Sequence, residues 1–461
     1  PGVTIILRDF EDFDNDVVGT ARSFSSSSSS SSSSPVVVIS DSPPYPPLPF
    51  PEEGVRVVVL RRDLRFSPVL NDPRLFLRTR HVAIVPDRTR NPGVVGLLEK
   101  LRDTVEQSGG ATRVAVAGVT EGGSPTFSLR CFHLHVDPRR WTLRYTADTG
   151  DTGGRCGAVE SSRVVLLLRT RDLLSLPFPF SRPFPDAIFI QAALRGWGVQ
   201  ILGGGDYFPA VPLPPLNPHA AWKAQNLREK RREKLMKDLG VKLEVFEGGK
   251  ERWFGCNRDT PRCFGTIQEG TPQYLLEGRW TPPCCLRGLR ETAKHVVGVL
   301  ESSGVRYWLE GGSLLGALRL GDIIPWDYDV DLGFYREDAG KCRWLREAEE
   351  EGGRRGGVED DEGFVWEKAP QGEGGVYRVY WSRTNRLHVD LWPFYPRDGG
   401  VMTRDEWTGH PQDVEFPEIF LRPRIPLPFA GFTAMSPNNP RKFLQLKFGE
   451  GAIEKPQYPN P

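Results

Sequence analysis

Three aspartates at alternating positions, Asp327, Asp329 and Asp331, are the residues best suited to chemistry. In an extended segment, carboxylates two residues apart leave the same face, while Tyr328, Val330 and Leu332 point the other way, into a core. Three hard oxygen donors on one edge suit Mg²⁺, which is commonly shared between one or two carboxylates and substrate phosphates. Just upstream, Gly311-Gly312-Ser313 reads as a small turn whose backbone amides can approach a phosphate without a side chain in the way. Residues 311–333 together read as a metal-dependent phosphoryl-transfer site. Two plainer readings compete. A calcium loop wants Gly at its sixth position and Glu at its twelfth, and here those positions hold Leu332 and Asp338. A solvated strand face is the other. Bulky apolar residues between the acids, with Trp326 beside them, argue instead for a partly buried site, where unpaired carboxylates are costly.

The flanking elements must position those acids. Apolar residues at 286, 289, 293, 296, 297 and 300 predict an amphipathic helix over 286–303, closed by Gly304. The strand Val305–Leu309 then delivers the Gly-Gly-Ser turn. This order is how nucleotidyltransferase-type sites set a Gly-Ser turn opposite a pair of metal-binding aspartates, often with a third carboxylate from a later strand. The segment 387–396, LHVDLWPFYP, supplies a candidate: His388, Asp390 and Trp392 share one face, Val389 and Leu391 the other. Asp390 could complete the metal shell or take a proton from an attacking hydroxyl; the alternative is a structural acid satisfied by neighbouring amides. Arg319 is a candidate charge partner for a phosphate. In the tail, Arg441 and Lys447 could meet a phosphate as point charges, with surface placement the plainer reading of each.

Composition bounds the rest. At 461 residues there is room for two or three domains, and 38% hydrophobic with 26% charged residues implies a folded globular chain. Sixty Lys and Arg against 59 Asp and Glu leave no bulk-charge case for binding nucleic acid. No run of about 18 apolar residues suggests a membrane span. Strand candidates Val3–Leu7, Val36–Ile39, Val55–Leu60, His81–Val85, Arg113–Ala117 and Val164–Leu168 are apolar runs that imply an α/β layer covered on both faces. The run Ser25–Ser34 and the proline-rich stretches 43–53 and 209–218 read as loop or linker, and 347–363 as a surface insertion. After the fourth strand, Asp87 stands alone where a sugar-nucleotide transferase would carry an acidic pair, which favours a non-catalytic domain. Residues 187–202 read as a helix and then a strand. The basic segment 219–240 reads as a helix stopped by Gly240 that could attract a phosphorylated acceptor or an anionic surface; a solvated helix with Glu-Lys pairs is the plainer reading.

Seven cysteines are too few for a disulfide scaffold. Cys131 and Cys156 would pair in an oxidising compartment and stay buried thiols in the cytosol. Cys256, Cys263, Cys284 and Cys285 could hold a tetrahedral zinc, with two disulfides as the alternative.

The segment GGSLLGALR…IPWDYDVD resembles the LicD-type phosphotransferase family, and WFGCNRDTPRCFGT, RWTPPCCLR, HVDLWPFYP, QDVEFPE and LKFGEGAIEKPQYPNP resemble its ribitol-phosphate branch. The match is dense over about 240–461 and sparser, though colinear, before it. It implies transfer of ribitol 5-phosphate from CDP-ribitol to ribitol phosphate on the O-mannosyl glycan of α-dystroglycan, with release of CMP. It also implies Mg²⁺ or Mn²⁺ at Asp327, Asp329, Asp331 and Asp390, substrate contacts from Gly311, Gly312, Ser313, Arg319 and Lys447, and a structural Zn²⁺ on Cys256, Cys263, Cys284 and Cys285. A Cys131–Cys156 disulfide follows from the Golgi lumen in which the family works, as does a type II membrane anchor absent from this sequence. The expected architecture is an α/β, glycosyltransferase-like stem over 1–250, non-catalytic and used for homo-oligomerisation. An α+β, nucleotidyltransferase-like catalytic domain over 251–461 follows, with a zinc-stapled loop at 256–285. The alternatives are a glycoprotein-binding or assembly factor, or a glycosyltransferase acting through the first half.

Overall fold

The computed structural model describes residues 2–455 outside 12–13, 26–33, 45–46, 50–53, 62–71, 93–95, 122–128, 148–154, 161–162, 204–205, 213–216, 263–266, 269–270, 352–355, 371–374 and 408. The serine run, much of the proline-rich stretches, part of 347–363 and Cys263 therefore lie outside the described residues. The chain divides into one unit of Pro1–Asp137 with Thr142–Arg252 and a second of Pro138–Trp141 with Trp253–Pro461.

In the first unit the apolar runs become strands. Val55–Val59, Val36–Ser40, Val3–Leu7 and His81–Val85 lie side by side in that order, all parallel. Val164–Arg169 then runs antiparallel between His81–Val85 and Thr112–Glu121. Every residue of Val3–Leu7, Val36–Ser40 and His81–Val85 is buried, because helices and loops cover both faces of this sheet. The helix Asp186–Leu194 and strand Gly198–Ile201 follow as expected, and the basic segment forms the helix Pro218–Leu239, capped by left-handed Gly240. Cys131 and Cys156 form a disulfide.

The second unit is built on a mixed sheet in which Tyr307–Leu309, Val330–Tyr335, His388–Arg397, Tyr377–Tyr380 and Val365–Lys368 are successive neighbours. Val330–Tyr335 and His388–Arg397 are parallel; the other adjacent pairs are antiparallel. The helix Pro283–Ser302 lays Leu289, Ala293, Val296, Val297 and Leu300 into the core, the stripe its apolar spacing predicts.

The described cysteines of this unit lie close together. Cys256 and Cys284 are joined as a disulfide, and Cys285 is disulfide-bonded too. That bond joins two of the four sulfurs named for zinc, as in the disulfide alternative, and Cys263 lies outside the described residues. The described sulfurs gather because Cys284 and Cys285 open the helix Pro283–Ser302 and Cys256 is buried in the same cluster. Among the described residues the free cysteine is Cys342, which is buried.

Candidate active site

Two glycines open the helix that adjoins the acids. The Gly-Gly-Ser turn is the first turn of a helix, Gly311–Leu320. Gly311 has φ of 48°, a left-handed value that side-chain-bearing residues rarely adopt. A Cβ on Gly312 would stand 3.0 Å from Oδ2 of Asp327, so a side chain there would press on that carboxylate. Ser313 is buried, and its Oγ accepts from the backbone N–H of Asp331 at 2.8 Å.

The three aspartates do not lie on one continuous strand. Asp331 is on Val330–Tyr335, whereas Asp327 and Asp329 sit in the loop that enters it. That loop is held from below: Thr281 Oγ1 donates to the carbonyl of Asp327 at 2.6 Å, and the backbone N–H of Asp327 bonds to the carbonyl of Ile324. Val330 and Leu332 are fully buried behind the acids, as alternation predicts.

The neighbouring strand completes the cluster. Parallel pairing sets Asp331 directly beside Asp390, Leu332 beside Leu391 and Gly333 beside Trp392. Carboxylates at paired positions of adjacent strands emerge on the same face, with backbones about 4.8 Å apart. Asp390 is buried and accepts from Arg378 Nε at 3.3 Å, while Trp392 Nε1 donates to Asp331 Oδ1 at 2.8 Å. His388, two residues before Asp390 on the same face, has its Nε2 3.7 Å from Asp390 Oδ1. One ligand atom each of Asp329, His388 and Asp390 lies within 4.8 Å of the others.

So many acids in one place resist ionising together. Burial is the largest cause in each case. It raises Asp327 to about 6 and Asp331 to about 8, the latter with help from the charge on Asp390. Asp329 is raised well above the usual carboxylate range by burial and then by Asp331, Asp327 and Asp390. Such a donor set, oxygens with one imidazole, fits a hard or borderline divalent cation.

Two residues expected to contact substrate are placed otherwise. Arg319 lies at the far end of the helix Gly311–Leu320, roughly 10 Å along its axis from Gly312. Its guanidinium donates to the carbonyls of Ile453 and Ala452. Lys447 was expected on the surface as a point charge for phosphate; it is buried, with its side chain only 4% exposed. Its Nζ lies 2.6 Å from Oε1 of Glu310, ringed by Phe394, Phe416 and Phe443. Desolvating a cation requires a counter-charge, and the sequence hides the partner 137 positions upstream. Glu310 in turn caps the helix by accepting from Gly311 N at 3.1 Å and accepts from Trp308 Nε1 at 2.8 Å. Arg441 pairs with Glu454 on the surface.

His388 and Trp392 were visible on the Asp390 face, but their roles were not. Glu310 carried no signal beyond preceding the glycines. Arg404 carried none: it is buried, stacks 4.3 Å over Trp392 and pairs with Asp413 at 2.7 Å, bracing the indole that holds Asp331.

The Glu310–Lys447 pair should therefore matter for stability rather than for substrate contact. Lys447→Met leaves a buried carboxylate uncompensated and should cost ~3–5 kcal/mol. Adding Glu310→Gln to it should recover much of that loss. Chemical denaturation of the three variants checks both statements.

Residues 1–247 match the family described as the fukutin-related protein stem domain, and residues 304–439 match the LicD/FKTN/FKRP nucleotidyltransferase domain. The chain is 52% identical over 463 residues to the human protein named ribitol 5-phosphate transferase FKRP, spanning all of this chain and 89% of that one. It is 51% identical over 465 residues to the Mus musculus protein of the same name, with the same coverage. The human ribitol-5-phosphate transferase FKTN is 30% identical over 94 residues, 20% of this chain and 19% of that one. The chain belongs to the fukutin-related protein family.

Proposed function

We propose that this member of the fukutin-related protein family transfers ribitol 5-phosphate from CDP-ribitol to ribitol phosphate on the O-mannosyl glycan of α-dystroglycan, releasing CMP. The observation that carries the reading is the in-register pair Asp331 and Asp390, with Asp327, Asp329 and His388 converging on it beside the start of the helix Gly311–Leu320. Full-length similarity to relatives named as ribitol 5-phosphate transferases supports the choice of donor.

Asp329, His388 and Asp390, with Asp331 alongside, would hold Mg²⁺ or Mn²⁺. Bound there, the cation would offset charge on the donor pyrophosphate. The first-turn amides of Gly312 and Ser313 face the acids with the positive end of the helix dipole and would orient phosphate oxygens. Trp392, braced by Arg404, keeps Asp331 turned into the cluster. The acceptor hydroxyl, its proton passing to a carboxylate for which Asp390 is our candidate, attacks the phosphorus that bears ribitol. The new O–P bond forms as the bond to the CMP oxygen breaks, and CMP leaves with the electron pair.

The finer biology extends the same reading. Golgi-lumenal residence as a type II membrane protein is supported by the Cys131–Cys156 disulfide, which belongs to an oxidising compartment. Among the described residues no helix is long and apolar enough to cross a membrane. Self-assembly through the first unit follows the family resemblance. A structural zinc on Cys256, Cys263, Cys284 and Cys285, in place of the disulfide bonds there, is likewise our proposal, supported by the buried convergence of the three described members.

Two tests follow. CMP release from CDP-ribitol should require both a divalent cation and a phosphorylated O-mannosyl glycopeptide bearing ribitol phosphate, with a matching mass gain on the peptide. Asp329→Asn should slow it by about a thousandfold or more, ~4 kcal/mol in the barrier, at unchanged secondary structure. Activity with a different CDP-alcohol would keep the site and change the donor; silence with every donor would refute the reading. For the cysteines, elemental analysis should find about one zinc per chain. Absence of zinc, with Cys342 the only titratable thiol, would establish the disulfides instead.

A further inference from the structure

A cavity of about 700 Å³ lies wholly within the first unit. Its floor is the place where this sheet changes direction of growth. From Val3–Leu7 the chain moves outward to Val36–Ser40 and Val55–Val59, then returns to the other side as His81–Val85. In open parallel sheets such a reversal leaves a crevice beyond the carboxyl ends of the two central strands, and ligands bind there. Leu7 and Val85 are paired in register. Asp9 and Asp87 each lie two residues past them, and both line the cavity. Asp87, alone in the sequence, thus has an acidic companion 78 positions away.

The two acids differ in what holds them. Asp87 accepts from the backbone N–H of Asp16 at 3.0 Å. Asp9 makes no hydrogen bond among the described residues, although it is half-buried and burial raises it above the ordinary range. The charges of Arg182, Arg231 and Arg8 act on Asp9 without donating a hydrogen bond to it, so its oxygens remain open to a ligand donor from the cavity.

The lining selects the ligand's chemistry. Its guanidinium groups are largely neutralised from within: Arg231 is held by both oxygens of Glu11 at 2.6 and 3.0 Å, Arg88 by Asp14 at 2.7 Å and Arg232 by Asp186 at 2.5 Å. Carboxylates outnumber guanidinium groups around the cavity, so it disfavours a polyanion such as a nucleoside diphosphate. Among the described residues no trio of metal-ligand atoms converges here. One wall is aromatic, with Tyr145 and Phe246 stacked at 5.5 Å and Phe132 edge-on to Tyr145. Acceptor oxygens opposite aromatic faces suit a compound with many donor hydroxyls and apolar C–H faces.

We propose that the crevice formed by Asp9, Asp87, Tyr145 and Phe246 is a non-catalytic binding site for a neutral polyhydroxy unit, a saccharide or alditol. Asp9 accepts from ligand hydroxyls, and the ligand's C–H face packs on the Tyr145–Phe246 wall. This site is independent of the transferase reading above.

The test is saturation-transfer NMR and calorimetry on the full chain with neutral hexoses, N-acetylhexosamines and pentitols, beside CDP and UDP. At least one neutral compound should bind saturably. Asp9→Asn should weaken it about tenfold, the effect of losing a charge-assisted hydrogen bond. Phe246→Ala, which removes a partly exposed ring, should also weaken it, while Asp331→Asn should leave it unchanged. No saturable binding to any neutral compound overturns the proposal. So does binding that depends on Asp331 but not on Asp9 or Phe246, or Asp9-dependent binding of nucleotides alone.

Discussion

Repulsion among carboxylates governs the catalytic unit. Asp331 and Asp390 are forced together by strand register, and Asp327 and Asp329 are folded in above them by the loop that Thr281 holds. Folding places these like charges in contact because the hydrophobic alternation behind them, Val330 and Leu332 against Val389 and Leu391, leaves no other register. Burial and mutual repulsion push Asp329 and Asp331 above the ordinary carboxylate range, and a cation bound among them would offset that repulsion.

The surroundings serve that constraint. Gly311 allows the left-handed backbone at the helix start, and Gly312 spares Asp327 a tight contact with a Cβ. Glu310 fixes that start, and buried Lys447 compensates Glu310, so the tail helix Pro440–Phe448 is tied to the site through charge rather than through substrate. Trp392 and Arg404 turn Asp331 toward its neighbours. A carboxylate here is placed by at least one partner that never needs to touch the reacting atoms.

Periodicity made much of this legible. The apolar runs of the first unit became the strands of one sheet, four of them parallel neighbours, and the alternation at 387–396 put His388, Asp390 and Trp392 on one face. What alternation could not reveal was pairing at a distance. Lys447 reads as a surface charge until Glu310 is placed beside it, and Asp87 reads as solitary until parallel register brings up Asp9. Arg319 looked available because its acceptors are tail carbonyls, which any sequence supplies. The regular D-x-D-x-D spacing suggested one strand, but the turn at Ile324–Asp327 keeps the first two aspartates off it. The convergence survives because the loop folds back over the same face.

The central claim is that the acid cluster is a site for one divalent cation, and Mn²⁺ titration followed by electron paramagnetic resonance tests it most directly. Metal-stripped protein should take up about one tightly held Mn²⁺ per chain, displaced by excess Mg²⁺, and Asp329→Asn or Asp390→Asn should lose it. Undiminished Mn²⁺ binding in both variants, or none in the unaltered chain with CDP-ribitol present, would contradict the account.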